Sequence, residues 1–321
     1  MNTIPSIFNE KKVPHTVVGG TTKKSDESES PFTVLLLNRG GRYYRASVFR
    51  NLEAAGFDSV VSIETASEPY DIENLSIRFP KVKFLVPLEK ISIGEMINTG
   101  MAETTSPYVF VIWNDIKVSP SIFSNRLKAR ITDEPVLCTT PMMTNAKLES
   151  LPVQMVPAIN RREFQVEPMA CYRDGSPTVY PFDFIGIYHR EKFIQVGGFD
   201  YTITNPYWQN LDFGFRSYLW GERITVASGF RLSYEGEIPG EDITPDDSYM
   251  RFYLKNLTPV FKNDEAYVPF SRLFSYLGKS GSNIFDAWAQ YAHVRKWVRL
   301  NKYRFMQDAT ILTENWEPCI Q

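Results

Sequence analysis

Apolar residues in the first part of the chain alternate between strand-like and helix-like patterns. The consecutive apolar run FTVLLL predicts a strand that is covered on both faces of its sheet. The next segment has apolar residues at helical spacing and ends at Gly56, a residue type that favours helix termination. Two further strands follow, over DSVVSIE and, after a turn, over ENLSIRFPKVKFLVP, and then a helix and the very apolar strand YVFVIW. This order predicts an α/β domain with a mainly parallel sheet flanked by helices.

The pattern weakens between about 120 and 180, where proline and methionine are frequent. We expect long connections with a few short elements there, and a long loop in a compact domain commonly forms a substrate lid or binding wall. Regular patterns return in FDFIGIYHREKFIQVGGFD, with a helix over LDFGFRSYLWG and a strand over ERITVAS. The patterns divide the chain into a polar, flexible tail over 1–30, an α/β domain over 31–260 and a helical extension over 261–321.

The segment NIFDAWAQYAHVRKWVRLNKYRF predicts a C-terminal helix, because its apolar residues recur at helical spacing. Those positions are Ile284, Trp288, Tyr291, Val294 and Val298. Between Asp286 and Asp308 the chain has five Lys or Arg residues and no acidic residue. Two interpretations stay open: a helix packed on the domain with a solvated basic face, or an amphipathic helix that touches an anionic membrane surface.

Composition narrows the classes of function. The 321 residues include 35 basic and 37 acidic ones, so no global positive field favours nucleic acid as a partner. The three cysteines form no CxxC pair and the three histidines are scattered, which argues against a zinc site and favours a reducing compartment. The longest apolar stretch is far shorter than the roughly 20 residues that cross a bilayer. We therefore expect a soluble, cytoplasmic protein, peripheral at the membrane if the basic helix binds lipid.

Polar residues stand where three predicted strands end, at Asn38, Glu64 and Asp115. Ligands of parallel α/β sheets collect beyond the carboxyl ends of the strands. The pattern therefore predicts a ligand site at this edge of the sheet. For Glu64 an exposed strand end is the alternative interpretation, and for Asp115 it is a solvated turn beside Lys117.

Two segments resemble the motifs of GT-A glycosyltransferases, especially glycosyltransferase family 2. GEMINTGMAETTSPYVFVIWNDIKVSP looks like the helix, strand and acidic motif of that family, with Trp113, Asn114, Asp115 and Ile116 in the places of the acidic motif. VGGFDYTITNPYWQNLDFGFRSYLWGERI resembles the later GGFDE and ED-x-D segments, and also the WGGEN segment of the polypeptide N-acetylgalactosaminyltransferases. The order of the two motifs and their separation are more specific than either motif alone.

The resemblance implies a GT-A fold and sugar transfer from a UDP-, GDP- or dTDP-sugar to a glycan, lipid-linked or protein acceptor. Departure of a nucleoside diphosphate builds negative charge, which Mn²⁺ or Mg²⁺ held by Asp115 would neutralise. The residues implied to contact the donor are Asn38, Glu64, Asn98, Asn114 and Asp115. Direct displacement with inversion is expected, although the resemblance to retaining enzymes leaves the stereochemistry open. For Asn98 an ordinary helix-face amide is the alternative.

The sequence also departs from the family. Trp113 occupies the first acidic position of the motif, and Tyr234 and Glu235 lie in the region that often supplies a histidine. Metal binding would then rest on Asp115 alone.

An inverting transfer also needs a carboxylate that accepts the proton of the acceptor hydroxyl. The family's carboxylate pair falls on Gln209 and Asn210, and an amide cannot accept that proton. Asp212 is the nearby candidate, either as a shifted base or as an acid at the start of a helix. Trp208 is a candidate for stacking on the acceptor sugar or for the core. Arg216 is expected to pair with nearby carboxylates.

A binding or scaffolding protein that has lost catalysis is the rival hypothesis, motivated by the substitutions at Trp113, Gln209 and Asn210. A nucleotidyltransferase on a similar sheet is disfavoured, because the glycine-rich loop of that group is missing after the first strand.

Overall fold

The computed structural model describes residues 10–20, 31–39, 45–64, 72–120, 122–160, 163–171, 173–280 and 284–317. Its strands are β1 (His15–Gly19), β2 (Phe32–Leu37), β3 (Val60–Ile63), β4 (Val82–Pro87), β5 (Tyr108–Trp113), β6 (Ile116–Lys117), β7 (Cys138–Thr144), β8 (Gln154–Asn160), β9 (Glu163–Met169), β10 (Gly186–His189), β11 (Ile224–Tyr234), β12 (Val260–Lys262) and β13 (Glu265–Tyr267). Its α-helices are α1 (Arg45–Ala54), α2 (Ile72–Arg78), α3 (Ile93–Ala102), α4 (Asn125–Asp133), α5 (Arg190–Gln195), α6 (Pro206–Leu219), α7 (Asp247–Phe252), α8 (Arg272–Ser280), α9 (Ile284–Asn301) and α10 (Ala309–Glu314).

Nine of these strands form one mixed sheet in the order β1-β4-β3-β2-β5-β10-β7-β11-β6. Strands β4, β3, β2 and β5 are parallel, and a helix connects each of them to the next along the chain, as the crossover between parallel strands requires. Beyond β5 the pairing alternates, with β10 antiparallel to both its neighbours and β7 parallel to β11. In this register Leu37 lies beside Ile63 on one side and Trp113 on the other. The carboxyl ends of β2, β3 and β5 therefore meet at one edge.

The centre of the sheet is buried on both faces. Every residue of β2 and β5 is buried, as the consecutive apolar runs predict. Aromatic rings fill the adjoining layer: Phe123 packs edge-on against Phe32 at 5.0 Å between ring centres and against Phe57 at 4.9 Å. Such packing accounts for many of the aromatic residues without any ligand.

Two segments differ from the sequence prediction. Residues Ile72–Arg78 form helix α2, where a turn before a strand was predicted. The proline- and methionine-rich region contains α4, the main-sheet strand β7 and the β8–β9 hairpin rather than long connections. Strand β7 escapes a periodicity analysis because CTTPMMT is buried yet rich in threonine.

The predicted N-terminal tail also differs in part. Residues His15–Gly19 form edge strand β1, which pairs antiparallel with β4. None of the five residues is fully buried, as is usual for a strand at the edge of a sheet. Residues 1–9 and 21–30 of that tail lie outside the described residues.

The C-terminal helices pack on the same core as the sheet. The indole of Trp297 stacks on Trp220 at 5.8 Å between ring centres, and Lys255 Nζ lies 4.9 Å from the Trp297 ring centre. Asp308 accepts a hydrogen bond from the Phe261 backbone amide. The domain boundary at residue 260 stays a prediction. Among the described residues, every helix is too short or too polar to cross a membrane.

Candidate active site

The edge where β2, β3 and β5 end carries the residues predicted there. Asn38 is buried, and its Nδ2 donates to the backbone oxygen of Ile63 at 2.6 Å. Its Oδ1 is also buried and has no hydrogen-bond partner among the described residues. Asn38 therefore joins the ends of β2 and β3 and leaves one acceptor open. Whether that acceptor meets a donor nucleotide stays a prediction.

Glu64 has no exposed surface, so it is not a solvated strand end. Arg45, the first residue of α1, places both terminal nitrogens against the two carboxylate oxygens of Glu64. The Ser62 hydroxyl adds a hydrogen bond of 2.9 Å. Arg45 thus neutralises the charge of Glu64 through a bidentate ion pair, which connects β3 to α1. A role of Glu64 in base recognition stays a prediction.

Asp115 lies just beyond β5, and its nearest charged neighbour is Arg39. Arg39 Nε is 3.3 Å from Asp115 Oδ2, and the Arg39 backbone amide donates to Asn114 Oδ1 at 3.2 Å. The guanidinium carbon of Arg39 is 3.9 Å from the Trp113 ring centre. Its Nη2 forms an ion pair with Asp183. Arg39 therefore joins two carboxylates that are far apart in sequence.

Asp183 precedes β10 and is held from three sides. Its backbone φ of 54° and that of Phe184, 63°, are both left-handed, a conformation that non-glycine residues rarely adopt. Trp113 Nε1 donates to the Asp183 backbone oxygen at 3.0 Å, and the Tyr234 hydroxyl donates to Asp183 Oδ2 at 2.8 Å. Trp113 and Tyr234, two residues at which the sequence departs from the motifs that it resembles, thus both contact Asp183. Strained backbone of this kind concentrates at functional sites.

The positive charge around Asp115 and Asp183 does not offset the cost of burying their ionised carboxyl groups. Burial raises the pKa of Asp115 above its usual value, and Arg39 only partly opposes that rise. Burial also raises the pKa of Asp183, against Arg39 and the Tyr234 hydroxyl. In addition, Asp115 Oδ1 is buried and has no hydrogen-bond partner among the described residues. The pair therefore fits a further cation, which would stabilise both ionised forms.

A divalent cation is compatible with this donor set. Mg²⁺ and Mn²⁺ are commonly held by one or two carboxylates together with phosphate oxygens of a bound nucleotide. Asp115 and Asp183 would supply the protein ligands. In the part of the chain that the structure describes, no cluster of three or more His, Cys, Asp or Glu side chains could hold a metal by itself. Ligands from a bound molecule would therefore be needed.

Asp212, the predicted base, lies in the core. It has no exposed surface, and its carboxylate contacts Arg216 at 3.2 Å, Lys255 at 2.9 Å and Asn256 at 2.8 Å. It lies in the middle of α6 rather than at its start, because Asn205 caps the helix about two turns earlier. The structural pairing expected for Arg216 is confirmed. The Asp212 carboxylate is thus enclosed by the core, and a catalytic role for it stays a prediction.

The same ion network includes Asp200, whose carboxylate lies 2.7 Å from Lys255. Burial alone would raise the pKa of Asp200, but Lys255 and Arg251 outweigh it and hold that pKa well below its usual value. The Asp200 side chain also accepts hydrogen bonds from the backbone and hydroxyl of Thr202. Asp200 thus ties down its turn.

Gln209 and Asn210 hold backbone segments in place. Gln209 Oε1 accepts from the Gly94 amide at 2.8 Å, and its Nε2 donates to the Asp200 backbone oxygen at 3.0 Å. A Cβ at Gly94 would come within 2.5 Å of the Gln209 side chain, so only glycine permits this approach of α3 and α6. Asn210 Nδ2 donates to the Pro181 backbone oxygen at 2.7 Å, two residues before Asp183. Gln209 therefore joins α3 to α6, and Asn210 fastens the segment that leads to Asp183.

Trp208 and Asn98 also make contacts within the protein. Trp208 is 6% exposed, its ring lies 4.8 Å from that of Tyr249, and its Nε1 donates to the Thr244 backbone oxygen. Asn98 exchanges two hydrogen bonds with the Phe199 backbone, at 2.8 and 2.9 Å. The core interpretation of Trp208 fits this packing, and ligand contacts by either residue stay predictions.

Glu241 is a carboxyl that the sequence analysis did not single out. It lies in the loop between β11 and α7, and its Oε2 accepts a hydrogen bond of 2.9 Å from the Tyr180 hydroxyl. Burial of the carboxyl raises its pKa to about 7, and the charge of Asp183 adds to that rise against the Tyr180 hydrogen bond. Glu241 as a whole residue is exposed to solvent. In sequence, Glu241 looks like any solvated acid of a polar loop.

Comparison with known structures identifies the fold. The chain is similar to GalNAc-T7 in a crystal structure with UDP, GalNAc and Mn²⁺, at 11% identity and a TM-score of 0.63, covering 89% of this chain and 57% of that one. It is also similar to TarS 1-349 of S. aureus, at 12% identity and a TM-score of 0.50, covering 82% and 70% of the two chains. Both have the GT-A fold of glycosyltransferases, and so does this chain, as the two motifs predicted. The chain spans little more than half the length of the GalNAc-T7 structure. No family model and no curated protein matches the sequence.

Proposed function

We propose that this protein transfers a sugar from a nucleotide-sugar donor to an acceptor hydroxyl. The observation that carries the proposal is the position of Asp115. It follows the central strand of a GT-A sheet, keeps one buried oxygen without a hydrogen-bond partner among the described residues, and shares Arg39 with a second acid, Asp183. Sheets of this kind bind nucleotides beyond the carboxyl ends of their parallel strands. GalNAc-T7, which has the same fold, was crystallised with UDP and Mn²⁺.

The donor diphosphate is assigned to the edge formed by Asn38, Asn114 and Asp115. A divalent cation bound there supplies charge neutralisation for the departing diphosphate. Asp115 and Asp183 would hold the cation, and Arg39, which now pairs with both acids, would be free to turn toward a phosphate oxygen. Trp113 and Tyr234 keep Asp183 in place during this exchange.

Glu241 is our candidate for the group that accepts the proton of the acceptor hydroxyl. A carboxyl whose pKa is about 7 is well matched to proton transfer near neutral pH. Asp212 is less suitable, since Arg216, Lys255 and Asn256 occupy its carboxylate in the core. With Glu241 as the base, the expected course is inversion, which the anomeric configuration of the product tests by NMR.

The decisive experiment is a panel of UDP-, GDP- and dTDP-sugars with Mn²⁺ or Mg²⁺, in which donor hydrolysis and transfer are measured. We expect turnover with at least one donor, and its loss in Asp115→Ala. Asp133→Ala, at the exposed end of α4, is the matched control and should turn over normally. Binding of nucleotide without turnover of any donor would instead favour the scaffolding hypothesis.

A further inference from the structure

The outward face of α9 changes character along its length. Ile284, Trp288, Arg295 and Arg299 are spaced so that they share one side of the helix, next to its buried face, and Tyr291, which falls on the same side, is itself buried. In the first half that side is apolar, with Ile284 71% exposed and Trp288 49% exposed. In the second half it is cationic. The helix therefore presents an apolar end and a basic end on a single surface.

Helix α8 and the residues just before it extend the apolar end of this surface. Phe270 is 49% exposed and Phe274 68% exposed. Their rings lie 6.1 Å apart, and Phe270 lies a further 6.1 Å from Trp288. Single exposed apolar residues are normal on proteins, but a contiguous cluster of rings marks an interaction surface.

The basic end borders a groove of about 520 Å³ between β13 and α9. Arg295, Lys296 and Arg299 line it, and all three are exposed and make no ion pair with any other described residue. Lys302, also in the lining, pairs with Glu265, the one acidic residue of the groove. The groove thus keeps a net positive charge.

We propose that this surface, made of α8, α9 and the β12–β13 hairpin, docks on a membrane that carries anionic lipids. Aromatic side chains are favoured at the level of the lipid headgroups, and adjacent basic residues bind headgroup phosphates. The rings of Phe274 and Trp288 would enter the interface, while Arg295 and Arg299 contact the phosphates. This inference does not depend on the proposed transferase activity.

Two other occupants fit the surface less well. A soluble polyanion would use the basic end but would leave the exposed rings in water. A second copy related by a twofold axis at the basic end would bring the same basic groups toward one another, which like charges disfavour. An axis at the centre of the surface would press the rings of one copy on the basic groups of the other and leave those charges buried without an anion. An anionic bilayer would bind the basic end through its phosphates and the aromatic end through its headgroup region.

The test is co-sedimentation of the full chain with vesicles of phosphatidylcholine alone or mixed with phosphatidylglycerol. We expect binding to the mixed vesicles only, weakening as salt is added. Arg295→Glu/Arg299→Glu should lower the binding constant by about tenfold or more, since each basic residue near the surface contributes to attraction. Phe274→Ser/Trp288→Ser should weaken binding even at low salt, because it removes the apolar contact.

Matched controls lie elsewhere on the molecule. Arg126→Glu/Lys128→Glu makes the same charge change on exposed positions of α4, and Ile77→Ser removes an apolar side chain that is 78% exposed on α2. Both should bind vesicles like the unchanged protein. Equal losses in controls and test variants, or no binding to anionic vesicles, would overturn the proposal. So would binding of soluble polyphosphate without vesicle binding, or a dimer that the test variants dissociate.

Discussion

The indole nitrogen of Trp113 donates a hydrogen bond of 3.0 Å to the backbone oxygen of Asp183. Trp113 stands at the first acidic position of the motif that this segment resembles, and the residue that it holds is itself an acid. The second carboxylate of the site therefore comes from the loop before β10 rather than from the strand end. This relationship explains how a chain without the usual acid pair still places two carboxylates beside Arg39.

Removing that hydrogen bond should loosen Asp183 without removing any charge. Trp113→Phe keeps a ring beneath Arg39 but has no N–H to donate. We expect the affinity for UDP in the presence of Mn²⁺ to fall about fivefold, the size of one lost hydrogen bond. Isothermal titration calorimetry measures it, and affinity unchanged from that of the original protein would show that Trp113 does not position Asp183.

Asp183 itself should matter for metal affinity. Asp183→Asn keeps the shape and the Tyr234 contact but removes the charge, so we expect Mn²⁺ to bind about 10- to 100-fold more weakly. Electron paramagnetic resonance of free Mn²⁺, with UDP present, reports that affinity directly. Asp133→Asn on α4 is the control and should bind like the original protein. Equal affinities in both variants would remove Asp183 from the metal site.

Ionisation of the proton acceptor should be visible in the pH dependence of kcat. Glu241 has a pKa of about 7, and only its ionised form accepts a proton, so kcat should rise as the pH increases through 7. Glu241→Gln should abolish that rise and lower kcat by roughly 10²- to 10⁴-fold. Glu237→Gln, exposed in the same loop, should keep both the rate and the profile. A full rate in Glu241→Gln would exclude Glu241 as the base.

The buried ion network should dominate stability. Lys255→Met leaves Asp200 and Asp212 with less compensating charge in the core, and removing one partner of a buried pair costs about 3–5 kcal/mol. Urea unfolding monitored by circular dichroism measures the loss. Lys192→Met, which breaks the partly exposed pair with Glu222, should cost only about 0–1 kcal/mol. Similar losses in the two variants would contradict the central role of Lys255.

Acid should weaken the same network in a defined direction. The pKa of Asp200 is lower in the folded protein than its usual 3.8, so its contribution is present above about pH 3.8 and is lost as the pH falls further. In Lys255→Met, burial is less opposed and the pKa of Asp200 should rise. The acid unfolding midpoint should then move to higher pH, and an unchanged midpoint would argue against this linkage.

Much of the site's framework could be predicted because it rests on local patterns. The buried strands β2 and β5 have consecutive apolar residues, and such runs indicate strands covered on both faces. Once they are parallel, the residues that follow them must share an edge, which places Asn38 and Asp115 without any knowledge of side-chain contacts. The resemblance of the motif around Asp115 then added the expected chemistry.

Burial of the individual acids could not be predicted in this way. The sequence does not distinguish Asp212 from Glu241, because each is an acid with both apolar and polar neighbours. Only the packed structure surrounds Asp212 with Lys255, Arg216 and Asn256, and sets Glu241 against Tyr180 at the surface. A pKa depends on all the groups within a few ångströms, whichever part of the chain supplies them.

The amino-acid sequence by itself determined the α/β alternation, the strand that leads to Asp115 and the basic character of the C-terminal helix, because each is written in the spacing of neighbouring residues. Tertiary structure alone decided that Asp183 joins Asp115 across Arg39, a pairing of residues 39 and 183 that lie 144 positions apart. It also decided that the basic helix has an aromatic cluster beside it, since Phe270 and Trp288 meet only after α8 and α9 pack together. Contacts at such separations depend on how whole elements pack, and no local pattern records them.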